Sequence, residues 1–324
     1  MLLRDIKGQG NAVRYLSNSI RSGDLSKSYL FSGPEGVGRA LSAKAFIKAL
    51  ICRERSSSED GCSVCPACKK ADALTHPDIT WIKPEKNKAI KIEEIRAVRD
   101  ALSLKPFESP LGVCVIEDAH CMTVAASNAL LKVLEEPNES SMLVLITSKR
   151  ELLLSTIISR CSEVRFNALP IAETKRIIEE KAEGINGKDA EMLAYFSQGS
   201  PGRALEIISE GLEEKKKDII SIMAMVEKAD DPAGLDWIHE DKDAIMEDID
   251  MLIMFLRDAV VGAEGGSGMM IDKGFKDTAM YGFLSGYNAD NIYKMTERLI
   301  EMRNALVSNV NPKMVAQMLP GTFQ

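Results

Sequence analysis

The stretch Tyr29-Leu30-Phe31-Ser32-Gly33-Pro34-Glu35-Gly36-Val37-Gly38-Arg39-Ala40 decides how the rest of the chain is read. Residues 29–31 are a short apolar run that suits a strand. Beyond Ala40, the positions of Leu41, Ala45, Phe46, Ala49 and Leu50 come close to the spacing of a helix packed on a sheet. Between strand and helix, Gly33 and Gly38 have the G-x-x-x-x-G spacing of a loop that cradles phosphates, with Gly36 inside it. A glycine loop of this length can also be a plain turn, and the strand and helix around it argue for the cradle. A working loop continues with Lys, which reaches the phosphates, and Ser or Thr, whose hydroxyl holds Mg²⁺. Here Arg39 keeps the charge as a planar fork and Ala40 has no oxygen to offer a metal. The loop is expected to be degenerate and not to hydrolyse nucleotide.

Outward from the loop, strands and helices alternate. Val13, Leu16 and Ile20 mark one face of a helix over 11–20, and 78–82 reads as a strand. Ile92, Ile95, Val98 and Leu102 trace a helical stripe closed by the turn residues of 105–110. Residues 112–116 and 142–146 are continuous apolar runs, as expected of parallel strands buried on both faces, and a helix over 122–135 stops before Pro137. This pattern predicts a doubly wound parallel α/β domain over 1–166.

The remainder reads as helical. A small three-helix domain covers 167–211, with Ser200 as a cap and Pro201 at the first helical position. The charged run 213–218 links it to an all-helical domain within 212–324, which the glycine-rich 262–268 interrupts as an expected mobile loop.

Composition sets bounds on function. A chain of 324 residues suits two or three domains, and 45% hydrophobic with 27% charged residues is ordinary globular composition. A net charge of −7 argues against a chain that coats DNA alone. The first residues lack a signal-peptide pattern and no apolar run is long enough for a bilayer, so a cytoplasmic chain with no membrane partner is expected.

Two groups of residues carry further chemistry. Glu117 and Asp118 follow the apolar run 112–116, where such folds hold Mg²⁺. With no hydroxyl at position 40, working groups and a solvated strand end are equally good readings of that pair. Cys62, Cys65 and Cys68 repeat at two-residue gaps and Cys52 lies upstream. Four thiolates close a tetrahedral zinc site, and the polar stretch between has little else to order it. A structural zinc module over 52–70 is therefore preferred to a redox pair.

The segment 127–147, SNALLKVLEEPNESSMLVLIT, followed by Ile158-Ser159-Arg160-Cys161, strongly resembles bacterial clamp loaders of the AAA+ class. The likeness runs from Gly8-Gln9 through the cysteine cluster, His76-Pro77-Asp78 and Gly199-Ser200-Pro201-Gly202 to Asn311-Pro312-Lys313. Within that family the spoiled loop matches the delta prime branch, since motor subunits keep Lys-Thr.

The resemblance implies an AAA+ domain, a helical lid and a helical collar that joins a hetero-oligomeric ring. Implied partners are the delta and gamma/tau subunits, the sliding clamp and primed DNA, with ATP and Mg²⁺ on neighbouring subunits only. It implies that Arg160 acts in trans on a neighbour's ATP, although spacing alone would have Arg160 neutralise a helix end. It matches Arg203 to a sensor that, in active relatives, faces the subunit's own nucleotide. The competing readings are an ATP-hydrolysing motor subunit of the gamma/tau type, with Arg39 replacing lysine, and a zinc-dependent DNA-binding module.

Overall fold

Five apolar or half-apolar segments pair side by side in the computed structural model, which describes residues 1–54, 59–85, 88–212, 242–272, 279–308, 310–318 and 322. They are β1 (Ser28–Ser32), β2 (Ile79–Ile82), β3 (Gly112–Ile116), β4 (Ser141–Thr147) and β5 (Ser162–Arg165). All pairings are parallel, in the order β2-β3-β4-β1-β5. The registers bring Leu30 opposite Leu145 and Val115 opposite Val144. Every residue of the central strands β1 and β4 is buried, as continuous apolar runs require when helices cover both faces.

The helices of this part are α1 (Gly10–Ser22), α2 (Arg39–Ile51), α3 (Pro66–Asp72), α4 (Ile92–Ser103), α5 (Val124–Glu135) and α6 (Ser155–Ile158). Ile95, Val98 and Leu102 of α4 share one core with Leu130 and Leu134 of α5, Ile157 of α6, and Cys114, Ile116, Leu143 and Leu145 of the sheet. α5 starts at Val124 because the Thr123 side chain accepts from the Ala126 N–H and fixes the first turn there. The doubly wound α/β expectation is met. The strand foreseen from residue 78 begins at Ile79, because the Asp78 side chain is taken up by another loop.

By contacts the chain divides into two units, Met1–Glu173 with Gly199–Arg203, and Thr174–Gln198 with Ala204–Gln324. The helices α7 (Ile171–Lys181) and α9 (Pro201–Glu210) run across the divisions, and α8 (Gly187–Phe196) lies in the second unit. That unit also holds α10 (Lys242–Ala263), α11 (Ala279–Leu284), α12 (Ala289–Val307) and α13 (Pro312–Met318).

In the second unit α10 packs on α12, with Ile249, Leu252 and Leu256 on one and Ile292, Met295 and Leu299 on the other buried. An Arg303 to Asp250 ion pair, 2.6 Å, closes the edge. The glycine-rich stretch at 262–268 is not a loop throughout: α10 continues to Ala263, Gly265 takes φ +80°, and the Gly266 N–H returns to the Val261 carbonyl at 2.8 Å. A left-handed glycine that lets the last carbonyls be satisfied is a helix-ending device. The expected linker at 213–218 lies outside the described residues. Among the described residues no helix is long and apolar enough to cross a membrane.

Candidate functional site

The glycine loop leaves β1 and enters α2 through three residues with positive φ: Gly33 at +143°, Gly36 at +70° and Gly38 at +99°. Each is a conformation that side chains resist, so the glycines are demanded by the turn itself. The loop's outward carbonyls are then claimed by the chain. Ser200 Oγ donates to the Glu35 carbonyl at 2.7 Å, the Gly202 N–H to the Gly36 carbonyl at 2.9 Å, and Gln9 Nε2 to the Val37 carbonyl at 3.2 Å. Gln9 also donates to the Asn167 carbonyl at 2.7 Å and accepts from the Asn167 N–H, which ties the loop to the end of the sheet. A methyl on Gly36 would meet Ser200 Oγ at 2.2 Å and the Arg203 backbone nitrogen at 2.8 Å. The backbone of Arg203 thus lies against the loop.

Arg39, the first residue of α2, is only 6% exposed. Its Nη1 is buried and makes no hydrogen bond among the described residues. Burial pushes its pKa down, against the pull of the Asp118, Glu35 and Glu117 carboxylates. The guanidinium is therefore held in the field of the loop's own acid and the acidic pair after β3, the groups beside which a working site of this type would place a metal and phosphates.

Both oxygens of Glu117 are engaged. Trp81 Nε1 donates to Oε2 at 2.9 Å and Lys83 Nζ to Oε1 at 3.2 Å. Lys44 lies 5.3 Å from the Trp81 ring centre, completing a small cluster on the β2 side. Asp118 takes a left-handed conformation, φ +50°, immediately before a short helical turn over Ala119–Cys121. His120 of that turn contacts Thr147 Oγ1 at 3.1 Å, at the end of β4. Trp81 and Lys83 were not foreseen as members of this cluster. Their positions on and just after the edge strand were visible, but nothing in the spacing linked them to Glu117.

Arg160 belongs to a separate cluster. It follows α6, whose Ile157 is locked into the core with Leu130 and Leu134 of α5. Its Nη2 donates to Glu135 Oε1 at 2.9 Å and its Nη1 to the Thr156 carbonyl at 3.1 Å. The side chain remains 37% exposed. It satisfies a helix carbonyl while the side chain stays partly exposed.

The four cysteines converge. Their sulfurs all lie within 4.8 Å of one another, with Cys52 to Cys65 at 4.0 Å and Cys62 to Cys68 at 3.9 Å. A tetrahedral metal at ~2.3 Å from each sulfur implies edges of roughly 3.8 Å, so the set fits one. Backbone N–H groups aim at three of the sulfurs: Cys62 to Cys52, Cys65 to Cys62, and Cys68 to Cys65, at 3.3, 3.3 and 3.5 Å. Burial opposes the Cys65 thiolate, yet the Cys68 N–H and the neighbouring thiols outweigh it and bring Cys65 down to about 6. Burial pushes Cys68 up, as befits a thiol that ionises only with a partner cation.

The module is pinned from beside it. Lys48 of α2, 1% exposed, donates to Asp72 of α3 at 2.9 and 3.0 Å and to Ser63 at 3.2 Å. Asp60 accepts the Leu3 N–H at 2.6 Å. Sequence reading missed both anchors, since a lysine on a helix is normally solvated.

The profile of the family described as DNA polymerase III, delta subunit, matches residues 8–170. The delta' subunit of DNA polymerase III from Bacillus subtilis (strain 168) is 29% identical over 312 residues, covering 94% of this chain and 92% of that one. The Pseudomonas aeruginosa delta' subunit is 34% identical over 200 residues, 60% of this chain and 59% of that one. The Bacillus subtilis tau subunit is 34% identical over 221 residues, 68% of this chain; the chain spans only 36% of that relative's length. With half of its length matched by the family profile, the chain belongs to the DNA polymerase III delta subunit family.

Proposed function

We propose that this chain is a delta prime subunit of a DNA polymerase III clamp loader: a scaffold that leaves its own glycine loop idle and offers Arg160 to ATP held by a neighbouring subunit. The observation that carries the reading is the state of the loop. Ala40 brings no metal-ligating oxygen, Arg39 is buried with its charge favoured by the Asp118, Glu35 and Glu117 carboxylates, and both oxygens of Glu117 are engaged by Trp81 and Lys83. An arginine on a fixed helix end with an exposed guanidinium suits a role across a subunit boundary, where such groups contribute roughly 10³ to 10⁵ in rate.

The partners in this reading are the delta and gamma/tau subunits, arranged with this chain as a hetero-oligomeric ring, and through them the sliding clamp and primed DNA in the cytoplasm. ATP and Mg²⁺ belong to the neighbours. The cysteine cluster holds a structural Zn²⁺, with Cys52, Cys62, Cys65 and Cys68 as its four ligands and no coordination position left for substrate. The organisation into an AAA+ domain over 1–166, a lid over 167–211 and a collar within 212–324 is part of the same proposal.

The test is the DNA- and clamp-stimulated ATPase rate of the reconstituted loader with Arg160→Ala in this chain. A fall of 100-fold or more with assembly intact is expected, on the order of what such arginines supply. An unchanged rate would leave Arg160 a helix-end group only. The 34% identity to the tau subunit favours a second reading, an ATP-hydrolysing motor. Tight Mg-ATP binding by the isolated chain would select it.

A further inference from the structure

An exposed arginine is a poor catalytic tool unless something holds it, because its long side chain samples many rotamers and loses that freedom on reaching a ligand. In this chain the holding groups are visible. Glu135, the last residue of α5, accepts from Arg160 Nη2 at 2.9 Å, and the Thr156 carbonyl accepts from Nη1 at 3.1 Å. The two anchors come from different helices. Leu130 and Leu134 of α5 and Ile157 of α6 lie in one core, which fixes the distance between them.

A guanidinium has five N–H donors in a rigid plane. Two are spent on Glu135 and Thr156, so the plane is set and three N–H groups are left for an incoming anion. The carboxylate is suited to this work because a charge-assisted bond is shorter and more directional than one to a neutral acceptor. Stability offers a weaker reason for the pair. Arg160 is 37% and Glu135 50% exposed, and exposed pairs of this kind add little to folding.

We infer that Glu135 is a positioning residue for Arg160, orienting its guanidinium toward the phosphates of ATP on the neighbouring subunit. The inference rests on the reading of Arg160 as a group acting in trans. Glu135 itself touches no nucleotide: it acts through Arg160.

The experiment uses the reconstituted loader carrying Glu135→Ala, Glu135→Gln, Arg160→Ala or the Glu135→Ala/Arg160→Ala pair in this chain. Misplacing a reacting group by about 1 Å costs on the order of 100-fold, and partial loss of orientation less. Glu135→Ala is expected to lower the stimulated kcat roughly 10-fold with KM for ATP unchanged. Glu135→Gln, whose amide oxygen still accepts, should recover most of that loss, and the melting temperature of the chain should not move. The double variant should be no slower than Arg160→Ala alone, because both changes disable one device.

If Glu135→Ala leaves kcat intact while Arg160→Ala lowers it, the positioning role is wrong and the trans-acting arginine stands. A kcat that rises in Glu135→Ala overturns the inference too, since Glu135 would then be restraining Arg160. An Arg160→Ala loader with full activity removes the underlying reading instead, and the positioning role with it.

Discussion

Gly202 lies so close to Gly36 that its N–H donates to the Gly36 carbonyl at 2.9 Å and a methyl on it would stand 2.7 Å from the Gly36 Cα. The contact seals the outward side of the glycine loop with the first turn of α9. Alanine is the better helix former, so any loss on Gly202→Ala must come from this contact. The substitution is expected to cost about 1–3 kcal/mol, read by denaturant unfolding. Gly282→Ala in α11, where nothing lies within 4 Å of the new methyl, is the control and should stabilise by roughly 0.5–1 kcal/mol.

Repairing the loop tests what else closes it. Arg39→Lys with Ala40→Thr restores the residue types that hold phosphate and metal, yet leaves Glu117 engaged by Trp81 and Lys83. The pair alone should give weak Mg-ATP binding in an equilibrium titration. Adding Trp81→Phe, which removes one donor from Glu117, should tighten it by roughly tenfold, the worth of a hydrogen bond to a charged group. Equal affinity with and without the third change would show that the Trp81 bond is not what holds the site shut.

Metal removal should act locally. Chelation leaves four thiols that need a cation to stay together, while β1, β3 and β4 keep a separate core. Hydrogen exchange is expected to quicken in 59–72 and, through Asp60, in Leu3–Asp5, with the central strands still protected. Global unfolding on chelation would contradict this.

Asp78 makes a pH-dependent clamp. Its carboxylate accepts the N–H groups of Phe107, Glu108 and Ser109 at 2.6, 2.8 and 2.8 Å and the Ser109 hydroxyl at 2.9 Å. Burial favours the neutral acid, but these donors outweigh it and hold the pKa below the usual carboxylate range. With the folded value lowered, the stabilisation is complete above the unfolded pKa of about 4 and fades as pH falls through the folded one. Asp78→Asn should cost about 1–3 kcal/mol at neutral pH. It should also flatten the acid side of the stability profile, and a profile that keeps its full slope would assign the acid loss to other carboxylates.

How much of this was legible beforehand follows from what each feature depends on. The central strands and the helices over 92–103 and 124–135 declare themselves by apolar runs and periodicity, because burial alone decides them. β5 did not: Ser162-Glu163-Val164-Arg165 is an edge strand with one buried residue, and what places it is pairing with β1 and the reach of Glu163 to Ser32, Arg150 and Arg165. The cysteine set could be read because metal spacing is local along the chain. The engagement of Glu117 by Trp81 could not, since it joins residues 36 positions apart through tertiary packing. The seal between Gly36 and Gly202 spans still more of the chain, and only the glycines themselves hinted at it.

The satisfied carbonyls of Glu35, Gly36 and Val37 have a thermodynamic meaning. Whatever binds only the native state makes stability depend on its own concentration. A loop whose shape is supplied by Ser200, Gly202 and Gln9 is ordered by the chain's own groups, so its folding needs no ligand concentration to sustain it.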